Sequence, residues 1–306
     1  MKRILIGSAW LLAGLGMVSA ALAQEQVTPD RARANFARTI ELAADDVRHF
    51  PPPPAGFRDE RSGISHGRPE TMGYDSVVTG TRREALVYLP PGYSRDRKYP
   101  VLYLLHGIGG NPHEWTGYVR APIVLDNLLA DGKVQPMIVV FPNGRALADD
   151  RAPPADRVFT AENAAGFAKF ERDLLESLIP AVQASYPTET DRKHRALAGL
   201  SMGGGQSLNF GLGHLDTFAW LGGFSSAPNT KPAAELLADP EGSLGRQPAF
   251  VYLSCGRKDG LISVSQAVHR HLKAHGVAHV WHVDEYGHDG DSWAENLYYF
   301  AQQLFR

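Results

Sequence analysis

Cysteine is all but absent: Cys255 is the only one in 306 residues, so no intramolecular disulfide can form. Neither sign of charge dominates, with 31 basic against 33 acidic residues and no basic cluster. That balance excludes the electrostatic footing for a nucleic-acid or anionic-membrane partner. No internal repeat is found. The glycine run His106-Gly107-Ile108-Gly109-Gly110 lacks the G-K-[ST] ending of a phosphate loop. Twelve histidines occur without an H-E-x-x-H pattern. His271 and His275, four apart, have no third ligand nearby in sequence and read as a solvated helix face. No metal and no cofactor are expected.

What is present is ordinary globular composition, 43% hydrophobic and 21% charged. This length suits one large α/β domain or two small ones, and can bury a core without covalent staples. Lys2 and Arg3 precede an apolar run from Ile4 to Val18 and the Ala21-Leu22-Ala23 triplet. These are the three parts of a secretory signal, so residues 1–23 are expected to be a signal peptide cleaved after Ala23. The run is shorter than the ~20 residues of a spanning helix. No cysteine follows it to take a lipid. The expected location is secreted or periplasmic, free of the membrane after cleavage.

Residues 24–62 form an N-terminal helical and proline-rich extension. Pro29-Asp30 opens a predicted helix through Arg33, Phe36, Ile40 and Val47, and Pro51 to Pro54 force an extended end. The extension packs on the main domain or tethers it. Residues 63–306 are expected to form that domain, with strands and helices alternating from about Tyr74. Apolar runs at 87–89, 101–105, 137–141, 196–198 and 250–253 suit strands buried on both faces. Helical spacing lies between them, as at Phe167, Phe170, Leu174, Leu175, Leu178 and Ile179, and a last helix is expected from about Ser292 to Phe305. The fold class is α/β: a mostly parallel central sheet with helices on both faces.

Chemistry concentrates at Gly199-Leu200-Ser201-Met202-Gly203, a G-x-S-x-G pattern between a strand at 195–200 and a helix starting near Gly203. A tight strand-to-helix turn lifts the serine hydroxyl above the sheet edge, at the positive end of the helix. Ser201 is therefore the expected nucleophile. The order Ser, acid, His then selects Asp259, after the strand at 249–254, and His288, after the strand at 279–283. Asp284, Asp289 and Asp291 compete for the acid but crowd the His288 loop. Two backbone N–H groups should bind an oxyanion: that of Met202, and that of Ile108, with Gly107 and Gly109 as neighbouring alternatives. Cys255, at a strand end, reads as a small packing residue. Trp115 and Trp293 fall near the site, either as core or as contacts for a flat acyl or sugar group of a bound substrate.

The stretches Tyr103 to Gly110, Ala198 to Gly205 and Gly287-His288-Asp289 resemble the putative-esterase group of α/β hydrolases. More closely they resemble the feruloyl and acetylxylan esterases of carbohydrate esterase family 1, and Val87 to Tyr93 is similar to that group's opening strand. The resemblance runs from about Tyr74 to the C-terminus. It implies a serine esterase releasing ferulate or acetate from xylan, a small-molecule or polysaccharide ester being its partner, without metal or cofactor. An acyltransferase of the same fold, or a non-catalytic binder, is the alternative.

Overall fold

Short apolar runs without a polar face cannot sit at a surface, and here they assemble side by side into one sheet. The computed structural model describes residues 28–237 and 247–306; the expected signal peptide lies outside them. The strands are β1 (Arg68–Asp75), β2 (Arg82–Leu89), β3 (Val101–Leu105), β4 (Ile138–Pro142), β5 (Arg195–Leu200), β6 (Trp220–Phe224), β7 (Phe250–Gly256) and β8 (Val280–Asp284). Their spatial order is β1-β2-β4-β3-β5-β6-β7-β8. β1 and β2 form an antiparallel pair, β2 is antiparallel to β4, and all later pairings are parallel.

Two strands were not legible as apolar runs. In β1 only Met72 and Tyr74 are buried, so the strand begins before the expected start near Tyr74. β6 places Gly222 and Gly223 beside Ala198 and Gly199, where the sheet leaves little room for side chains.

Side-chain alternation divides the core. Val101, Tyr103 and Leu105 face one side, which is covered by α3 (Ala161–Asp173), α4 (Ile179–Ser185), α5 (Met202–Gly213) and α7 (Ile262–Ala274). Leu102 and Leu104 face the other, covered by α2 (Ala121–Ala130) and α8 (Gly290–Ala301). A π-helical turn, Leu174–Leu178, joins α3 to α4. A short α6 (Ala233–Leu236) precedes β7.

The extension does not behave as one helix. α1 (Pro29–Phe36) starts at its cap Thr28, with proline in its first turn, and stops well short of Ile40 and Val47. The chain beyond it uses its polar groups on the sheet domain. Asp46 accepts hydrogen bonds from Gln266 Nε2 at 2.6 Å and Trp281 Nε1 at 2.9 Å. The Val283 N–H donates to the Val47 carbonyl at 3.1 Å. His49 and Phe50 donate their N–H groups to His282 Nδ1 at 3.0 and 3.2 Å. Phe50 stacks on Tyr299 with centroids 4.5 Å apart. Residues 40–50 are thus docked on the sheet domain.

Candidate active site

β5 ends at Leu200 and α5 begins at Met202, which leaves Ser201 alone to turn the chain, at φ 53° and ψ −119°. A non-glycine residue held at positive φ is strained and persists only where its surroundings impose it. The glycines of the motif permit that turn by close approach: a Cβ on Gly203 would lie 2.4 Å from the Leu105 carbonyl oxygen. Ser201 N–H donates to the Phe224 carbonyl at 2.9 Å, tying the elbow to β6.

The three residues expected to act together are brought together from β5, β7 and β8. Ser201 Oγ lies 2.9 Å from His288 Nε2, and His288 Nδ1 lies 2.7 Å from Asp259 Oδ2. With a carboxylate at Nδ1, that nitrogen carries the proton and Nε2 accepts from the serine. Asp259 is buried. Burial pushes its carboxyl up, but the bond and charge of His288 and the Leu261 N–H at 2.9 Å outweigh this, so it ends below the usual carboxylate value. Cys255 is also buried, and its thiol lies 3.4 Å from Asp259 Oδ2. Burial, and then the charge of Asp259, push that thiol well up, so it stays protonated and can donate to the carboxylate.

The competing aspartates have other partners. Asp289 caps α8, accepting from the N–H groups of Asp291 and Ser292. Asp284 accepts from Ser292 Oγ at 2.7 Å and Asn296 Nδ2 at 2.8 Å. Asp291 pairs with Arg58 at the surface.

The loop after β3 is held from several sides. Glu114 Oε2 accepts the Gly107 N–H at 2.7 Å, so that alternative oxyanion donor is already engaged. The Ile108 carbonyl accepts from Asn163 Nδ2 at 3.1 Å. His106 Nδ1–H donates to the Gly107 carbonyl at 2.7 Å, and its Nε2 accepts the Gly144 N–H at 2.9 Å. Burial, with the nearby Arg145 cation adding to it, pushes His106 down to about 4, so the ring is neutral in this setting. Ile108 packs with Met202, Phe167, Ala227 and Leu261 in one apolar cluster beside the serine. Glu114 carried no sequence signal, and His106 only its place at the head of the glycine run.

The tryptophans do not form an open aromatic surface. Trp115 is fully buried in a π-helical turn (Glu114–Tyr118), its indole N–H donating to the Leu105 carbonyl at 2.8 Å. A ring sealed beneath the strand end is a packing residue, and the expectation of a substrate contact there is corrected. Trp293 is on α8, 5% exposed, edge-on to His288 at 5.2 Å. It touches the histidine instead of lying open in a loop. The exposed ring of this turn is Tyr118, which packs on Trp293 at 6.1 Å. The rings of His271 and His275 lie 4.3 Å apart, tilted at 46°. Among the described residues, Glu189, Asp191 and His194 come close enough together to share a metal ion, far along β5 from its catalytic end.

A mostly parallel sheet carrying a serine elbow, with histidine and aspartate on the following loops, defines an α/β-hydrolase esterase, a carboxylic ester hydrolase. The family described as "Putative esterase" matches residues 76–303, and the chain belongs to it. An endo-1,4-beta-xylanase/feruloyl esterase of Xylanibacter ruminicola is 34% identical over 256 residues, 82% of this chain and 33% of the relative. Endo-1,4-beta-xylanase Y of Acetivibrio thermocellus is 29% identical over 58% of this chain and 17% of its own length. The chain thus spans a third or less of these relatives. A CE1 ferulic acid esterase from Anaeromyces mucronatus, solved with ferulic acid, superposes with TM-score 0.73 at 27% identity, covering 87% of this chain and 98% of that one. An S-formylglutathione hydrolase from Staphylococcus aureus, at 20% identity and TM-score 0.62, shares the fold.

Proposed function

We propose that this chain is a serine esterase that hydrolyses feruloyl or related hydroxycinnamoyl esters of plant cell-wall xylan. The observation that carries it is the continuous bonding from Ser201 Oγ through His288 to Asp259, at 2.9 and 2.7 Å. Ser201 Oγ attacks the ester carbonyl carbon as its proton passes to His288 Nε2. The resulting oxyanion accepts from the N–H groups of Ile108 and Met202. Collapse breaks the bond to the alcohol, which leaves with the proton from His288. Water then repeats the sequence on the acyl-enzyme, and the carboxylic acid departs. Asp259 holds the Nδ1–H tautomer and stabilises the cation that forms on His288.

The feruloyl preference is supported by the relatives with that activity in their names. Residues 1–23 act as a cleaved signal peptide that exports the enzyme to the periplasm or medium, 24–62 are its extension, and 63–306 its esterase domain. Among the described residues no helix is long and apolar enough to cross a membrane.

The test is hydrolysis of methyl ferulate beside an aryl acetate. Ser201→Ala is expected to lower kcat on both by at least ~10⁴-fold with an unchanged circular dichroism spectrum. Retained turnover would overturn the mechanism. Acetate turnover without ferulate turnover would overturn the feruloyl assignment alone.

A further inference from the structure

The first helix of the extension ends beside the reacting groups. Phe36, the last residue of α1, lies edge-on to the His288 ring with centroids 5.1 Å apart. Its carbonyl packs onto the residue after Asp259: a Cβ on Gly260 would fall 2.3 Å from Phe36 O. Glycine at 260 is therefore what lets α1 come this near. Phe36 nevertheless stays 44% exposed, although a ring of that size normally finds cover.

A cleft of about 370 Å³ opens beside it, lined by Pro29, Ala32, Arg33, Phe36, Ala37 and Phe159. Across from α1, Phe159 follows Val158, whose side chain approaches to 3.6 Å of the Cβ position of Gly109 in the oxyanion loop. Phe36 thus joins the cleft to the His288 ring, and Phe159 joins it through Val158 to the loop of Ile108. Two phenyl rings face a space of the size that takes a small ligand. Arg33, the one charged side chain of the lining, is already paired with Asp30.

We propose that α1 supplies a wall of the acyl pocket, with Phe36 and Phe159 clasping the aromatic ring of a hydroxycinnamoyl ester whose carbonyl sits at Ser201. This rests on the feruloyl reading above. Phe36 is then a specificity residue lying outside the matched family region, residues 76–303. The rigid propenoyl link carries the ring away from the carbonyl, so a phenylpropenoyl group reaches the cleft and an acetyl group does not. Aromatic rings stack favourably in offset or edge-on arrangements, which both phenylalanines can provide.

The experiment compares kcat/KM for methyl ferulate and an aryl acetate in the full chain carrying Phe36→Ala, Phe159→Ala or Phe36→Tyr. Each alanine variant is expected to lower the ferulate-to-acetate ratio by tenfold or more, through KM for ferulate, and Phe36→Tyr to restore it. Equal losses on both esters would mean that Phe36 only braces His288, and would overturn the proposal. An unchanged or raised ratio would overturn it as well. A wild-type enzyme that turns over acetate but not ferulate would instead remove the feruloyl reading, and this proposal with it.

Discussion

His106 shows how much a single buried ring can carry. It touches no substrate position, yet it links the Gly107 carbonyl to the Gly144 N–H and so fixes the loop that presents Ile108. Its neutral state has a consequence for pH. The folded value is about 4 against an ordinary 6.5. Above 6.5 both folded and unfolded chains hold this ring neutral, and no linkage exists. Between 6.5 and about 4 the unfolded chain binds a proton that the folded chain refuses, so stability falls as pH falls, by up to about 3 kcal/mol. Urea unfolding of His106→Gln should lose that much less than wild type between pH 7 and pH 4. The same variant should lower kcat by ~10- to 100-fold, because a loosened loop misplaces the oxyanion donor. Equal pH slopes for the two proteins would show that His106 is not the group refusing the proton.

α8 places the histidine. Its cap Asp289 accepts from Asp291 and Ser292 N–H and also from Gly287 N–H at 3.1 Å, so one carboxylate grips both sides of His288. Asp289→Ala is expected to cost about 1 kcal/mol in thermal unfolding and to lower kcat, while Asp289→Ser keeps most of both. Asp291→Ala, at the exposed pair with Arg58, should shift stability by less than about 0.5 kcal/mol. If both alanine variants behave alike, the cap has no special hold on the loop. At this scale the sequence was most legible where structure is local. The bounds of β5 and the turn at Ser201 follow from a buried run meeting a glycine pattern, and Asp259 and His288 follow from counting strands. β1 was hidden by its exposed half and β6 by its glycines, since neither has the continuous apolar run that buried strands show. Trp115 was misplaced because a tryptophan near a glycine loop gives no hint of which way it faces. Phe36 was taken only as one position on a helical face, because its neighbour His288 is far away in the chain and periodicity is blind to such contacts.

For the whole molecule, the sheet edge at β8 is closed by chain from the other end of the sequence. Val47 accepts from Val283 there, and the N–H groups of His49 and Phe50 meet His282, whose Nε2 lies 3.0 Å from Glu295 Oε1. An open strand edge invites pairing with another chain, and this cover removes the invitation. One fastening is Asp46, 6% exposed, which accepts from Gln266 and Trp281 and also from the Ala43 N–H at 2.6 Å. Asp46→Ala leaves the buried Trp281 indole N–H without its acceptor and the Gln266 amide with only the Glu41 carbonyl at 2.9 Å. The expected loss is about 2–3 kcal/mol, read as a lower Tm. It should also speed proteolytic cleavage within residues 28–58 ahead of the sheet domain. Because this docked stretch follows α1, whose Phe36 lies against His288, the variant should lower methyl ferulate turnover more than aryl acetate turnover. A lower Tm with an unchanged ratio of the two would mean that residues 40–50 only shield the edge, and that α1 is held at the site by its contact with Gly260 alone.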